Sequence, residues 1–109
     1  MELLVNEILE DLTTELGLTE KSDLAVLTSK IRNAYREVKR ARNYQSSHTQ
    51  EFIDRDMENF YSNIRELALY DFNQAGAEGQ TSHSENGTNR VWKDRKECLN
   101  GVVAFCGSL

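Results

Sequence analysis

The chain has 109 residues, 39% hydrophobic and 28% charged, with a formal net charge of −5. That length supplies one compact core and is too short for two. The acidic balance argues against a protein whose main work is to coat nucleic acid, because that work rests on neutralising phosphates.

Hydrophobic periodicity sets the class. Leu4, Ile8 and Leu12 recur at four-residue steps, Leu3, Val5 and Leu16 widen the stripe, and Gly17 supplies a stop, which together predict a short first helix. A second, long amphipathic helix is predicted from Thr19 or Ser22, either a suitable N-cap, through Leu24, Leu27, Ile31, Tyr35 and Val38 to about Asn43 or Tyr44. Lys30, Arg32, Arg36, Lys39 and Arg40 fall off its core stripe. Ser47 with Gln50 matches a capping box for a third helix, which carries Phe52, Ile53, Met57, Phe60, Ile64, Leu67 and Ala68 and ends at Gly76 at the latest.

The texture changes at Gly76–Gly79, the one plausible boundary in a chain with no proline, no repeats and no low-complexity linker. The next stretch, Thr81-Ser-His-Ser-Glu-Asn-Gly-Thr-Asn-Arg90, invites a catalytic reading of His83, Ser84 and Glu85. Consecutive side chains on an extended segment alternate between faces, however, whereas a hydrolytic triad converges from distant parts of a chain. Asn86-Gly87 is the favoured pair for a type I′ turn, so the stretch predicts a β-hairpin tip with His83 as a flanking hydrogen-bond residue. Lys93 to Leu99 predicts one or two helical turns capped by Asp94 and closed by Asn100-Gly101. Val102 to Leu109 is apolar and β-prone, and such an end needs a surface to lie on, either its own domain or another chain. The expected architecture is one mainly α domain over residues 1–109. A bundle of about three helices forms the body, 1–75, and a hairpin, short helix and extended C-terminal tail occupy 76–109.

Cys98 and Cys106 fit no zinc spacing, and His48 and His83 add no ligand pairing, so no metal or other cofactor is expected and the cysteines read as small buried thiols. With no signal pattern and no apolar run long enough for a bilayer, a reducing, cytosolic setting without a membrane partner is expected.

Charge is segregated along the chain. Residues 1–20 hold six acids and no base, 21–48 hold seven bases against Asp23 and Glu37, and 49–75 hold six acids against Arg55 and Arg65. Packed helices of opposite sign can attract within a subunit or between subunits; a surface for DNA or another polyanion is the alternative.

Several short motifs carry a resemblance. Two or three helices precede Tyr70-Asp71-Phe72-Asn73, Gly76-Ala77-Glu78-Gly79 and Ser82-His83-Ser84-Glu85-Asn86-Gly87; Arg90, Trp92 and a terminal Gly101-Val102-Val103 follow. This order resembles the small head-to-tail connector, or adaptor, proteins of long-tailed bacteriophages, with the similarity concentrated in residues 70–103. Ala104 and Phe105 depart from the proline or aliphatic end expected there. The resemblance implies a non-enzymatic structural virion protein, made in the host cytoplasm. It would form a homo-oligomeric ring, usually twelvefold, beneath the portal of the DNA-filled capsid, with DNA passing through. It would also present a platform for the stopper or tail-completion protein.

On that reading, Arg32, Arg36, Lys39 and Arg40 face Glu7 and Asp11 of a neighbour across the subunit interface. Asn86 and Gly87 turn the hairpin, and Val102, Val103, Phe105 and Leu109 dock on the portal. Two other readings stay open: a small helical DNA-binding or regulatory protein using the basic helix 30–42, and a hydrolase built on His83, Ser84 and Glu85.

Overall fold

A computed structural model describes residues 1–77 and 95–105 of the chain. Four helices form the body: α1 Glu2–Leu16, α2 Lys21–Arg42, α3 Gln50–Met57 and α4 Tyr61–Ala77. A 3-10 turn, Glu58–Phe60, joins α3 to α4, and a second, Arg95–Leu99, precedes the tail. The described residues contain no strand. The hairpin expected around Asn86 and Gly87, together with His83, Ser84 and Glu85, lies outside them, as do Cys106 and Leu109.

α1 ends as its sequence dictates. Gly17 adopts φ 67, its N–H donates to the Thr14 carbonyl at 3.3 Å, and the Leu18 N–H donates to that of Thr13 at 3.1 Å, which satisfies two of the helix's last carbonyls. Leu18 folds back against the core. This turn consumes Leu18 and leaves room for only two more residues before α2. The N-cap is therefore Glu20, with no side-chain cap bond, rather than Thr19 or Ser22. Asp23 in the first turn still complements the helix dipole. α2 stops at Asn43, in the left-handed region at φ 55, with Lys39, Arg40 and Arg42 in its last turn.

The start of α3 also differs from expectation. The Gln45 N–H donates to Nδ1 of His48 at 3.0 Å and the His48 N–H donates to the Gln45 carbonyl at 2.9 Å, so residues 45–48 close into a turn of their own. Thr49 is the first extended residue after that turn. Its hydroxyl accepts from the Phe52 N–H at 3.1 Å and replaces the expected Ser47 cap. The expected single third helix is interrupted at Glu58–Phe60, although its apolar spacing runs through the break.

α2 lies at the centre, packed most extensively on α4 and then on α1. Val5, Ile8 and Leu12 of α1, Leu27, Ile31, Ala34, Tyr35 and Val38 of α2, Ile53 and Met57 of α3, and Ile64, Leu67 and Ala68 of α4 are buried, together with Cys98. Each large apolar side chain removed from water contributes about 1.5–3 kcal/mol before the entropy of ordering is subtracted. Among the described residues no polar or charged residue is fully buried.

The described part of the tail takes one of the two surfaces left open for it. Residues 102–105 form no strand and lie on their own subunit, across the C-terminal end of α2. The last carbonyls of a helix lack intrahelical partners, and here the Phe105 N–H donates to the Arg42 carbonyl at 2.8 Å.

Candidate assembly interface

Two ionic ties hold the C-terminal part of the chain on the helices. In the first, the Arg42 guanidinium donates through Nε to Asp56 Oδ2 at 2.9 Å and through Nη1 to the Val103 carbonyl at 2.6 Å. The Tyr44 hydroxyl donates to the same Asp56 oxygen, and Asn43 Nδ2 donates to the Phe105 carbonyl at 3.1 Å. The Phe105 ring sits 4.1 Å from the guanidinium carbon, which also lies 5.0 Å from the Phe60 ring centre. Tyr44, His48 and Phe52 complete the socket, with His48 stacked on Phe52 at 4.8 Å and 4.6 Å from Phe105. Burial pushes the Tyr44 phenol well above its ordinary range, and the hydrogen bond to Asp56 pushes it further, so Tyr44 remains a donor.

The second tie centres on Arg95. Nε and Nη2 donate to the two oxygens of Asp71, and Nη1 and Nη2 to those of Glu37, all at 2.8 Å. Both carboxylates are gripped bidentately, which is the geometry that favours arginine over lysine. Those bonds, to Asp71 and then to Glu37, raise the guanidinium's affinity for its proton further. Asn63 Nδ2 adds bonds to the carbonyls of Cys98 at 2.8 Å and Asn100 at 2.9 Å, fixing the 3-10 turn on α4.

The remaining charges lie on the outside. Arg32 pairs with Glu2 at 3.3 Å, not with Glu7 or Asp11. Arg36 and Arg40 are exposed and Lys39 is half-buried; none of the three pairs with an acid of the described residues. Glu7 and Asp11 are likewise exposed and unpaired within the described subunit, so the subunit does not itself bring its acidic and basic faces together there. Of the expected docking residues, Val103 is 66% exposed, Val102 packs against the core and Phe105 fills the socket. Among the described residues, no group of three His, Cys, Asp or Glu side chains could hold a metal ion, and no helix is long and apolar enough to cross a membrane.

Residues 6–95 match the family of the phage gp6-like head-tail connector protein. The chain belongs to that family. No curated protein and no solved structure gives a significant match. Membership places this connector among structural phage proteins of the head-to-tail junction rather than among enzymes. The matched span begins inside α1, takes in α2, α3 and α4, and stops at Arg95, so the socket around Phe105 lies beyond it.

Periodicity on this connector exposed the outward charges but not the ties. Arg42 and Asp56 are 14 residues apart, Arg42 and Val103 61, and Arg95 and Glu37 58, separations that leave no local pattern. The one available signal was an aromatic residue, Phe105, near the end of an otherwise aliphatic tail.

Proposed function

We propose that the chain is a structural virion subunit that assembles with copies of itself into a ring at the head-to-tail junction, between the portal of the capsid and the stopper or tail. The match of residues 6–95 to the connector family carries this reading. Two properties of the subunit support it. Opposite charges stand unpaired on its surface among the described residues, as a head-to-tail lateral contact requires, with Arg36, Lys39 and Arg40 in one group and Glu7 and Asp11 in the other, while Arg32, paired with Glu2, lies beside the basic group. An apolar C-terminal segment is also presented at the surface. Val103 stands open beside the Arg42 node, while Val102 and Phe105 reach the portal, with Leu109, only when the tail leaves its socket. The ring is expected to be twelvefold, with DNA passing through it.

The test pairs native mass spectrometry across protein concentration with co-sedimentation on portal. Discrete oligomers, or stoichiometric binding to portal, are expected. A chain that ignores portal but binds duplex DNA as a monomer or dimer, with affinity falling steeply as salt rises, would replace this reading with that of a DNA-binding protein using the unpaired bases of helix 30–42.

A further inference from the structure

α1 carries an open groove of about 750 Å3 that its own subunit leaves uncovered. Leu3, Leu9 and Leu24 are among the residues that line it, together with Glu7, Glu10 and Glu58. Leu3 is 86% exposed, more than Val103 at 66% or Val26 at 40%, the other large aliphatic side chains that stand open among the described residues. All three glutamates are exposed, and none pairs with a base of the described residues. A lining that mixes leucines with carboxylates suits a long cationic side chain, which can lay its methylenes on leucine and deliver its charge to a carboxylate. A purely aliphatic partner would leave the glutamates unpaired, and an acidic one would be repelled.

A surface of that complementary kind occurs at the far end of α2. Arg36, Lys39 and Arg40 project there without an acidic partner among the described residues. Leu24, which belongs to the groove, and Arg40 lie on the same helix about 24 Å apart at the α-helical rise. The two patches are therefore too far apart to meet within one subunit. On one molecule they form a donor surface and an acceptor surface, the arrangement that generates head-to-tail rings when the rotation closes.

Resting on the connector reading, we propose that the α1 groove is the acceptor for a second copy of this chain, whose Arg36, Lys39 and Arg40 enter it from the C-terminal half of α2. Within this seam Glu10 and Glu58 join Glu7 as acceptors, Leu3 and Leu24 supply apolar contact, and Arg32, already held by Glu2, is peripheral.

Two reversals and their mixture test the seam in the full chain. Glu7→Lys with Glu10→Lys makes the groove basic, and Arg36→Glu with Arg40→Glu makes the helix acidic. All four positions are exposed and unpaired within the described subunit, so each variant is expected to keep wild-type circular dichroism and melting. Each alone should require at least about tenfold more protein to assemble, read by native mass spectrometry. Mixed in equal amounts, the variants restore opposite charge at every seam, and oligomers of alternating composition should return.

A third variant, Leu3→Ser, should weaken assembly without altering its salt dependence. Wild-type oligomers indifferent to both reversals, or folded variants whose mixture does not recover, overturn the seam and leave the connector reading intact. A wild-type chain that stays monomeric at every concentration overturns the seam as well, and portal co-sedimentation then decides the connector reading separately.

Discussion

Arg42 closes α2, neutralises Asp56, donates to the Val103 carbonyl and lies against the Phe105 ring. The Arg42 and Asp56 side chains are only 14% and 13% exposed, so removing one leaves the other poorly solvated. Arg42→Met, which keeps most of the stem and loses the charge, is expected to cost about 2 kcal/mol in urea unfolding and to raise amide exchange at Phe105. Arg36→Met, at an unpaired exposed position, should stay within about 0.5 kcal/mol of wild type. Tyr44 sets an alkaline limit on the same node. Its folded proton affinity is raised, first by burial and then by Asp56, so its contribution is complete below the ordinary tyrosine value of 10.0 and is lost as pH climbs from there toward the folded value. Denaturant melts at stepped alkaline pH should show stability falling above about pH 10, the ordinary tyrosine pKa, and Tyr44→Phe should flatten part of that slope. Tyr35, raised mainly by burial, accounts for a further part.

The helices were legible wherever burial and local chain geometry agree. Leu4, Ile8 and Leu12 gave the stripe of α1 and Gly17 gave its end, because a left-handed turn after an apolar stripe is written in consecutive residues. Gly17→Ala has open space for its Cβ but must hold φ 67, so a loss of about 1 kcal/mol is expected in thermal melting. The caps of α2 and α3 were misplaced by one and two residues or more, since Glu20 and Thr49 are selected by how the preceding turns close and not by capping propensity alone. The break at Glu58–Phe60 escaped notice because Met57, Phe60 and Ile64 keep helical spacing across it. An apolar tail calls for a surface, but nothing in consecutive residues shows that Arg42, Tyr44, His48 and Phe52 assemble one for Phe105 on the same subunit. Deleting residues 102–109 should therefore leave the far-ultraviolet helical signal intact while lowering the melting temperature. An unchanged melting temperature would mean that the Phe105 socket contributes nothing to the fold.

Across the whole molecule, charge separates into pairs that serve the fold and groups that face outward. Exposed pairs such as Arg32 with Glu2 and Arg55 with Glu51 contribute little, so the melting temperature of an isolated subunit should hardly respond to salt. Assembly should respond strongly, because about 1 M salt shrinks the screening length to roughly 3 Å; sedimentation velocity at low and high salt, set beside melts of the same samples, measures both. The Arg95 knot has a consequence of another kind. Arg95 is gripped by Asp71 on α4 and Glu37 on α2, so one side chain at the head of the 3-10 turn ties two helices to each other and to the residues that follow it. Arg95→Lys, which keeps the charge but cannot grip both carboxylates bidentately, should lower the melting temperature and raise amide exchange in α4 and in residues 95–99 together.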